Sequence, residues 1–116
     1  KELKKFGINL IVVVKGEPIL SDATISEAEQ IGMDEVSDKI ITTGVYAVGL
    51  DIKELSAELK EHLENADLII SKGMANFEAL SETNYKPKMY LLRTKCGTVA
   101  SALSLSKNLN VAKLLK

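Results

Sequence analysis

Two stretches of this chain end alike, and the pattern behind each ending limits the folds available to it. Leu68-Ile69-Ile70-Ser71-Lys72-Gly73 is a short apolar run closed by Lys-Gly. A helical pattern opens at once behind it, with Asn76 and Glu78 near its start and Phe77 and Leu80 on its apolar side. Ile8 to Val14 is a β-branched run of strand length that ends in Lys15-Gly16. Runs that are apolar nearly throughout suit parallel strands covered on both faces. The echo between Val12-Val13-Val14-Lys15-Gly16 and Ile69-Ile70-Ser71-Lys72-Gly73 reads as two strand ends facing one site, not as a duplicated unit.

The other elements are legible in chain order. Pro18 bars a helix through Glu17-Pro18-Ile19-Leu20, so that stretch is a connector. Asp22 or Thr24 caps a helix over 25–31, and Gly32 ends it. Residues 33–38 suggest a short helical turn and 39–44 a second strand ending at glycine. Residues 45–49 read as a loop, in which Gly49 marks a tight or close-approach backbone. Ile52, Leu55, Leu59 and Leu63 fall at helical spacing, which predicts a helix over 51–64. A third strand over 66–71 precedes a helix over 74–82. Asn84 and Pro87 turn into a fourth strand, 88–93, and a last helix covers 98–105. The tail 110–114 fits a short strand or a frayed helix. Strands alternating with helices through short connections imply an α/β fold with a mainly parallel sheet and right-handed crossovers, of Rossmann-like type.

At 116 residues the chain holds one domain at most, 1–116, and is small for a metabolic enzyme. Hydrophobic content of 46% beside 27% charged residues fits a soluble globular protein. A net charge of −1 gives no support to a nucleic-acid footprint or an anionic membrane surface. The longest apolar run, Leu10 to Val14, is too short to span a bilayer. Cys96 is the sole cysteine, cannot form an internal disulfide, and fits the cytoplasm. Lys1 to Phe6 reads as the last turns of a helix already under way, stopped by Gly7, which suggests a fragment.

In a parallel sheet the carboxyl ends share an edge, where ligands bind, so Lys15, Gly44, Lys72 and Lys95 should share one rim. Three lysines and two glycine loops there suit phosphate or another anion. Asp22, with Asn76 or Glu78, adds hard oxygen ligands suited to Mg²⁺ or Mn²⁺ rather than Zn²⁺. Metal, water and lysines around a phosphate are the outline of phosphoester hydrolysis. Each residue also has a plainer reading. Lys15 taken alone is better read as a solvated lysine, Asp22 as a helix cap, and Asn76 as a cap with Glu78 favouring the helix dipole. Cys96 beside Lys95 lacks a histidine base and reads as a buried structural thiol, and His62 as a surface residue.

Four stretches together resemble one family: Val13-Val14-Lys15-Gly16-Glu17-Pro18-Ile19-Leu20-Ser21-Asp22-Ala23-Thr24, Thr42-Thr43-Gly44, the run from Ala66 through Lys72-Gly73-Met74-Ala75-Asn76 to Glu82, and Leu91-Leu92-Arg93-Thr94-Lys95-Cys96. In that order they look like the damage-control phosphatases, long filed as domain of unknown function 89. The resemblance covers essentially the whole chain. It implies a Rossmann-like three-layer α/β/α core and removal of phosphate from small, damaged or surplus phosphometabolites, dependent on a divalent metal (Mg, Mn, Co or Ni). Asp22 matches the family's metal-ligating aspartate. Lys72 and Asn76 match its Lys-Gly-x-x-Asn motif, which contacts phosphate and shapes the site, and Glu78 is the acidic companion. Lys15, Gly44 and Lys95 are carried over as rim positions. The family's other metal ligands, an Asp-Asn pair, lie at a strand end upstream, and no Asp-Asn dipeptide occurs in these 116 residues. The chain thus resembles the C-terminal half of the catalytic domain, whose partner is the missing N-terminal part of the same protein.

Two other readings stand beside this one. An S-adenosylmethionine-dependent carboxyl methyltransferase, a branch described within the same family, suits the sheet, but no G-x-G loop succeeds the first strand. A non-catalytic anion-binding α/β module needs only the basic rim.

Overall fold

The computed structural model describes residues 1–44 and 46–116. Of the loop read over 45–49, Val45 lies outside the described residues. The chain divides into two compact units: Lys1–Ala47 with Lys53–Leu59, and Val48–Ile52 with Lys60–Lys116. The fold is mixed α/β. Among the described residues no helix is long and apolar enough to cross a membrane.

In the first unit a 3-10 turn, Leu3–Phe6, ends at Gly7, whose φ of 68° lies in the left-handed region that a side chain resists. The Asp38 carboxylate accepts Lys4 Nζ at 2.5 Å and the Leu10 N–H at 2.7 Å, tying this arm to the strands. Strand β1, Ile11–Val14, pairs in parallel with β2, Lys39–Thr42, with Ile11 opposite Lys39. Between them run α1, Ile25–Gln30, and α2, Met33–Val36. Thr24, not Asp22, caps α1: its N–H donates to Glu27 Oε2 at 2.9 Å and its hydroxyl donates to the same oxygen. Ala28 and Ile41 are buried where helices meet β2. The expectation that the first strand is covered on both faces fails, because Val13 stays 42% exposed.

Helix α3, Ala57–Asn65, is shorter than the spacing of leucines implied. The Ser56 hydroxyl accepts the Leu59 N–H at 3.2 Å, so the helix starts there and residues 52–54 form a turn instead. Leu55 is buried all the same, which is why the apolar spacing looked continuous.

In the second unit β3, Ile69–Lys72, runs parallel to β4, Lys88–Arg93, and β5, Asn110–Leu115, is antiparallel to β4. The order is β3-β4-β5, separate from the β1-β2 pair, so a single parallel sheet is not what the described strands form. The tail is a strand. Thr94, fully buried, sets its return: its hydroxyl donates to Ser106 O at 2.8 Å and accepts the Leu109 N–H at 2.9 Å. Helix α4, Met74–Ser81, packs on β3 and β4. Its Phe77 meets Tyr90 edge to face, with ring centroids 4.8 Å apart. Helix α5, Gly97–Ala102, buries Val99 and Ala100. Burial alternates along the strands: Ile69, Ser71, Lys88, Tyr90 and Leu92 are inside, whereas Ile70, Leu91 and Leu114 are exposed.

Candidate active site

The residues singled out in the sequence stand at strand ends in both units. In the first, the loop after β1 folds back on itself. The Asp22 N–H donates to Ile19 O at 3.0 Å, and the Lys15 N–H donates to Ala23 O at 2.9 Å. Ile19, only 9% exposed, anchors the loop, so Asp22 returns to the end of the strand it left. Its carboxylate lies 3.8 Å from Lys15 Nζ and is about half exposed, open to a ligand. Lys15 is not the solvated lysine expected. It is 7% exposed, and its ammonium donates to Ala47 O at 2.9 Å. Burial lowers its pKa from the ordinary lysine value, and the Asp22 charge partly restores it. Thr43, at the end of β2, is buried and donates its N–H to Val14 O at 2.9 Å. Gly44 comes next with φ 78°, and a Cβ there would lie 3.2 Å from Ser56 Cβ.

In the second unit the strand-to-helix turn at Lys72-Gly73 has a tightly constrained backbone. Gly73 has φ 93° and ψ 161°, a region essentially closed to residues with a side chain. Its N–H donates to Leu91 O at 2.9 Å and its carbonyl accepts the Phe77 N–H at 3.1 Å. Asn76 is therefore inside the first turn rather than at the cap, and its Nδ2 donates to Lys72 O at 3.0 Å. That bond ties the last residue of β3 to the helix that carries Asn76 and Glu78. Gly49 is the close-approach glycine the sequence suggested: a Cβ on it would fall 2.8 Å from Ala75 O. Lys72, Glu78 and Lys95 expose their side chains. The Lys95 N–H is directed at Met74 Sδ, 3.3 Å away, joining the end of β4 to the start of α4. Cys96 is half-buried and directly precedes α5, with no capping bond from its side chain.

Two oxygens suit a hard cation. One is the half-exposed Asp22 carboxylate; the other is Asn76 Oδ1, a buried acceptor with no hydrogen-bond donor among the described residues. An orphaned acceptor of this kind is costly unless something supplies a positive charge or a proton. Among the described residues no group of three or more His, Cys, Asp or Glu side chains is arranged to hold a metal. Each oxygen thus fits a divalent metal as one member of a coordination sphere.

Sequence reasoning passed over Lys88, which is 2% exposed. Its ammonium donates to Leu80 O at 2.6 Å and Thr83 O at 2.9 Å, closing the carboxyl end of the helix that begins at the site. Strand patterning gave it no signal, since a lysine opening a strand reads as exposed.

Comparison with known proteins gives one answer. The profile of the "Damage-control phosphatase ARMT1-like domain" matches residues 1–111. A protein of Archaeoglobus fulgidus named damage-control phosphatase is 42% identical over 116 residues, all of this chain and 40% of that protein. The damage-control phosphatase PH1575 of Pyrococcus horikoshii is 40% identical over 101 residues, 85% of this chain and 35% of that protein. A crystal structure from the same organism, described as a DUF89 family protein, superposes with a TM-score of 0.85 at 38% identity, covering 91% of this chain and 37% of that one. The chain spans about 40% of the length of the curated relatives it matches.

Proposed function

The chain belongs to the ARMT1-like damage-control phosphatase family, and from that premise we propose that the protein it forms part of is a metal-dependent phosphatase. Its substrates are phosphate monoesters of small, damaged or surplus metabolites, with sugar phosphates and phosphopantetheine derivatives as the classes to try. The observation that carries the reading is the Lys72–Gly73–Asn76 turn. Its backbone takes a glycine-only conformation, its helix N-terminus favours an anion, and an exposed lysine and an orphaned amide oxygen flank it.

The residues take these roles. Asp22 holds the metal through its carboxylate, and Lys15 fixes that carboxylate from the buried side. The metal, Mg, Mn, Co or Ni, supplies when bound a Lewis acid for the phosphoryl oxygens and a lowered pKa for water. Lys72 and Lys95 neutralise phosphate charge with their exposed ammonium groups. Asn76, clamped by its Nδ2, offers Oδ1 in a fixed direction, and Gly44 turns the chain at the end of β2 in close contact with Ser56. Glu78 faces solvent from the first turns of α4 and sets the charge at the substrate's approach. The Asp-Asn ligands belong to the N-terminal part of the protein, so this stretch alone is inactive or very weak. The lone thiol of Cys96 supports the cytoplasm as the compartment.

The test is release of inorganic phosphate from a panel of such esters by the whole protein, with and without each metal. Metal-dependent release is the expected result. Turnover of S-adenosylmethionine without phosphate release would overturn the reading in favour of the methyltransferase.

A further inference from the structure

The loop that brings Asp22 back to β1 holds one residue in a backbone conformation that its type resists. Ile19 and Asp22 form an isolated antiparallel bridge, closed by the Asp22 N–H to Ile19 O at 3.0 Å. Leu20 is the first central residue of that turn and has φ 50°. Turns with a positive φ at this position ordinarily take glycine, because a side chain there crowds the neighbouring backbone. Leucine gains no local burial in exchange, since its side chain is 87% exposed. Strained residues persist where their surroundings hold them, and they gather at sites that bind or react. Buried Ile19 holds this one, and Asp22 stands two residues further on.

A second exposed apolar side chain flanks the same place from another loop of the first unit. The Lys15 ammonium lies 3.8 Å from Asp22 Oδ2 and donates to Ala47 O at 2.9 Å. Tyr46 directly precedes Ala47 and is 66% exposed. One buried lysine thus gathers both loops, and each loop exposes a large apolar side chain within two residues of the point it holds. Single exposed apolar residues are ordinary on any surface. The strained turn and the shared anchor set these two apart.

We infer that Leu20 and Tyr46 seat the alcohol part of the phosphate ester, so that the site favours monoesters whose alcohol presents an apolar face. The inference rests on the proposed function and extends it to the half of the substrate that metal and lysines do not recognise. Phosphate is the same in every monoester, so discrimination among them comes from contacts to the alcohol. An exposed leucine and the face of an aromatic ring supply such contacts by removing apolar surface from water. The fixed turn presents Leu20 with little left to order on binding, which accounts for leucine where glycine would fold more easily.

The test compares the whole, metal-loaded protein with its Leu20→Gly, Tyr46→Ala and Tyr46→Phe variants on phenyl phosphate and glycerol phosphate. Leu20→Gly should lower kcat/KM for phenyl phosphate about 10-fold, mainly through KM, and change it for glycerol phosphate by less than about twofold. Tyr46→Ala should do the same. Tyr46→Phe should keep the wild-type preference, because the ring face and not the hydroxyl makes the contact. The Tm of Leu20→Gly should equal or exceed that of the wild type, since glycine takes a positive φ freely. Equal effects on both esters, or no effect on either, would overturn the inference and leave the phosphatase standing. A Tm several degrees lower for Leu20→Gly would overturn it too, by showing the leucine packed against protein instead of open to substrate. Phosphate release from neither of these esters nor any other would remove the function itself, and the inference with it.

Discussion

Two lysines occupy the same dipeptide at the end of a strand, and the structure gives them opposite environments. Lys72 is exposed, whereas Lys15 is buried beside Asp22. The Lys-Gly pair showed where each strand stops, because glycine turns the chain. It carried nothing about burial, which for Lys15 depends on the fold of the loop through Ala23. This difference sets the roles. Asp22→Asn should lower phosphatase activity of the whole protein about 100-fold, while the Tm falls only modestly: the carboxylate is half exposed, but the buried Lys15 ammonium loses a counter-charge. Activity and metal titration on the same preparation check it, and full activity would remove Asp22 from the site. Lys72→Ala should lower kcat/KM by about 100-fold, as for loss of one preorganised group facing transition-state charge, with metal affinity preserved. A shift in metal affinity with unchanged kcat/KM would contradict that role.

At the scale of elements, the turns and caps hold the site in shape. Gly73→Ala meets no steric obstacle, since nothing lies within 4 Å of the added Cβ. The cost is conformational, about 1–3 kcal/mol, and it falls on the turn that presents Lys72 and Asn76. Gly49→Ala adds to a φ of 73° a contact of 2.8 Å with Ala75 O and should be the more damaging of the two. Denaturant midpoints of both variants give the order directly. Lys88→Met should cost about 1–3 kcal/mol by removing the buried donor to the Thr83 carbonyl, while the Leu80 carbonyl keeps the Thr83 N–H and hydroxyl. Burial lowers the Lys88 pKa from 10.5. Between that lowered value and the unfolded one the unfolded chain binds more protons, so this group's contribution to stability rises with pH. The stability gap between wild type and Lys88→Met should therefore widen as pH approaches 10.5, and a gap that narrows would contradict the assignment. Strand β4, read as 88–93, and the close approach at Gly49 were legible because local patterning decides them. The helix over 51–64 was over-read, since Leu55 and Leu59 keep helical spacing while Ser56 starts the helix late. The direction of β5 was not legible, because Thr94 fixes it through bonds to residues 12 and 15 positions away.

Across the whole molecule, alternation of strands and helices disclosed the α/β class, and four stretches of sequence disclosed the family. Which strands pair was hidden. Apolar runs show that a strand is buried, not which neighbour buries it, and the described strands form two sheets rather than one. Charge places the acid response in the first unit. Asp38 is held below the usual carboxylate range first by Lys4 and then by the Leu10 N–H, and Glu27 by its bonds to Thr24. Their folded pKa values are depressed, so their stabilisation is complete above the unfolded values and is lost as pH falls through the folded ones. Residue-resolved amide exchange from pH 5 downward should show β1, β2 and α1 opening first, below about pH 4. Uniform opening of both units would contradict this. The central claim is that these residues are part of a metal-dependent phosphatase site completed from outside the chain. Its most direct measurement is phosphate release from sugar phosphates and phosphopantetheine compounds with Mg²⁺, Mn²⁺, Co²⁺ and Ni²⁺, on this chain and on the same chain extended upstream. Activity confined to the extended, metal-loaded protein is the predicted result, and equal activity from the 116 residues alone would contradict it.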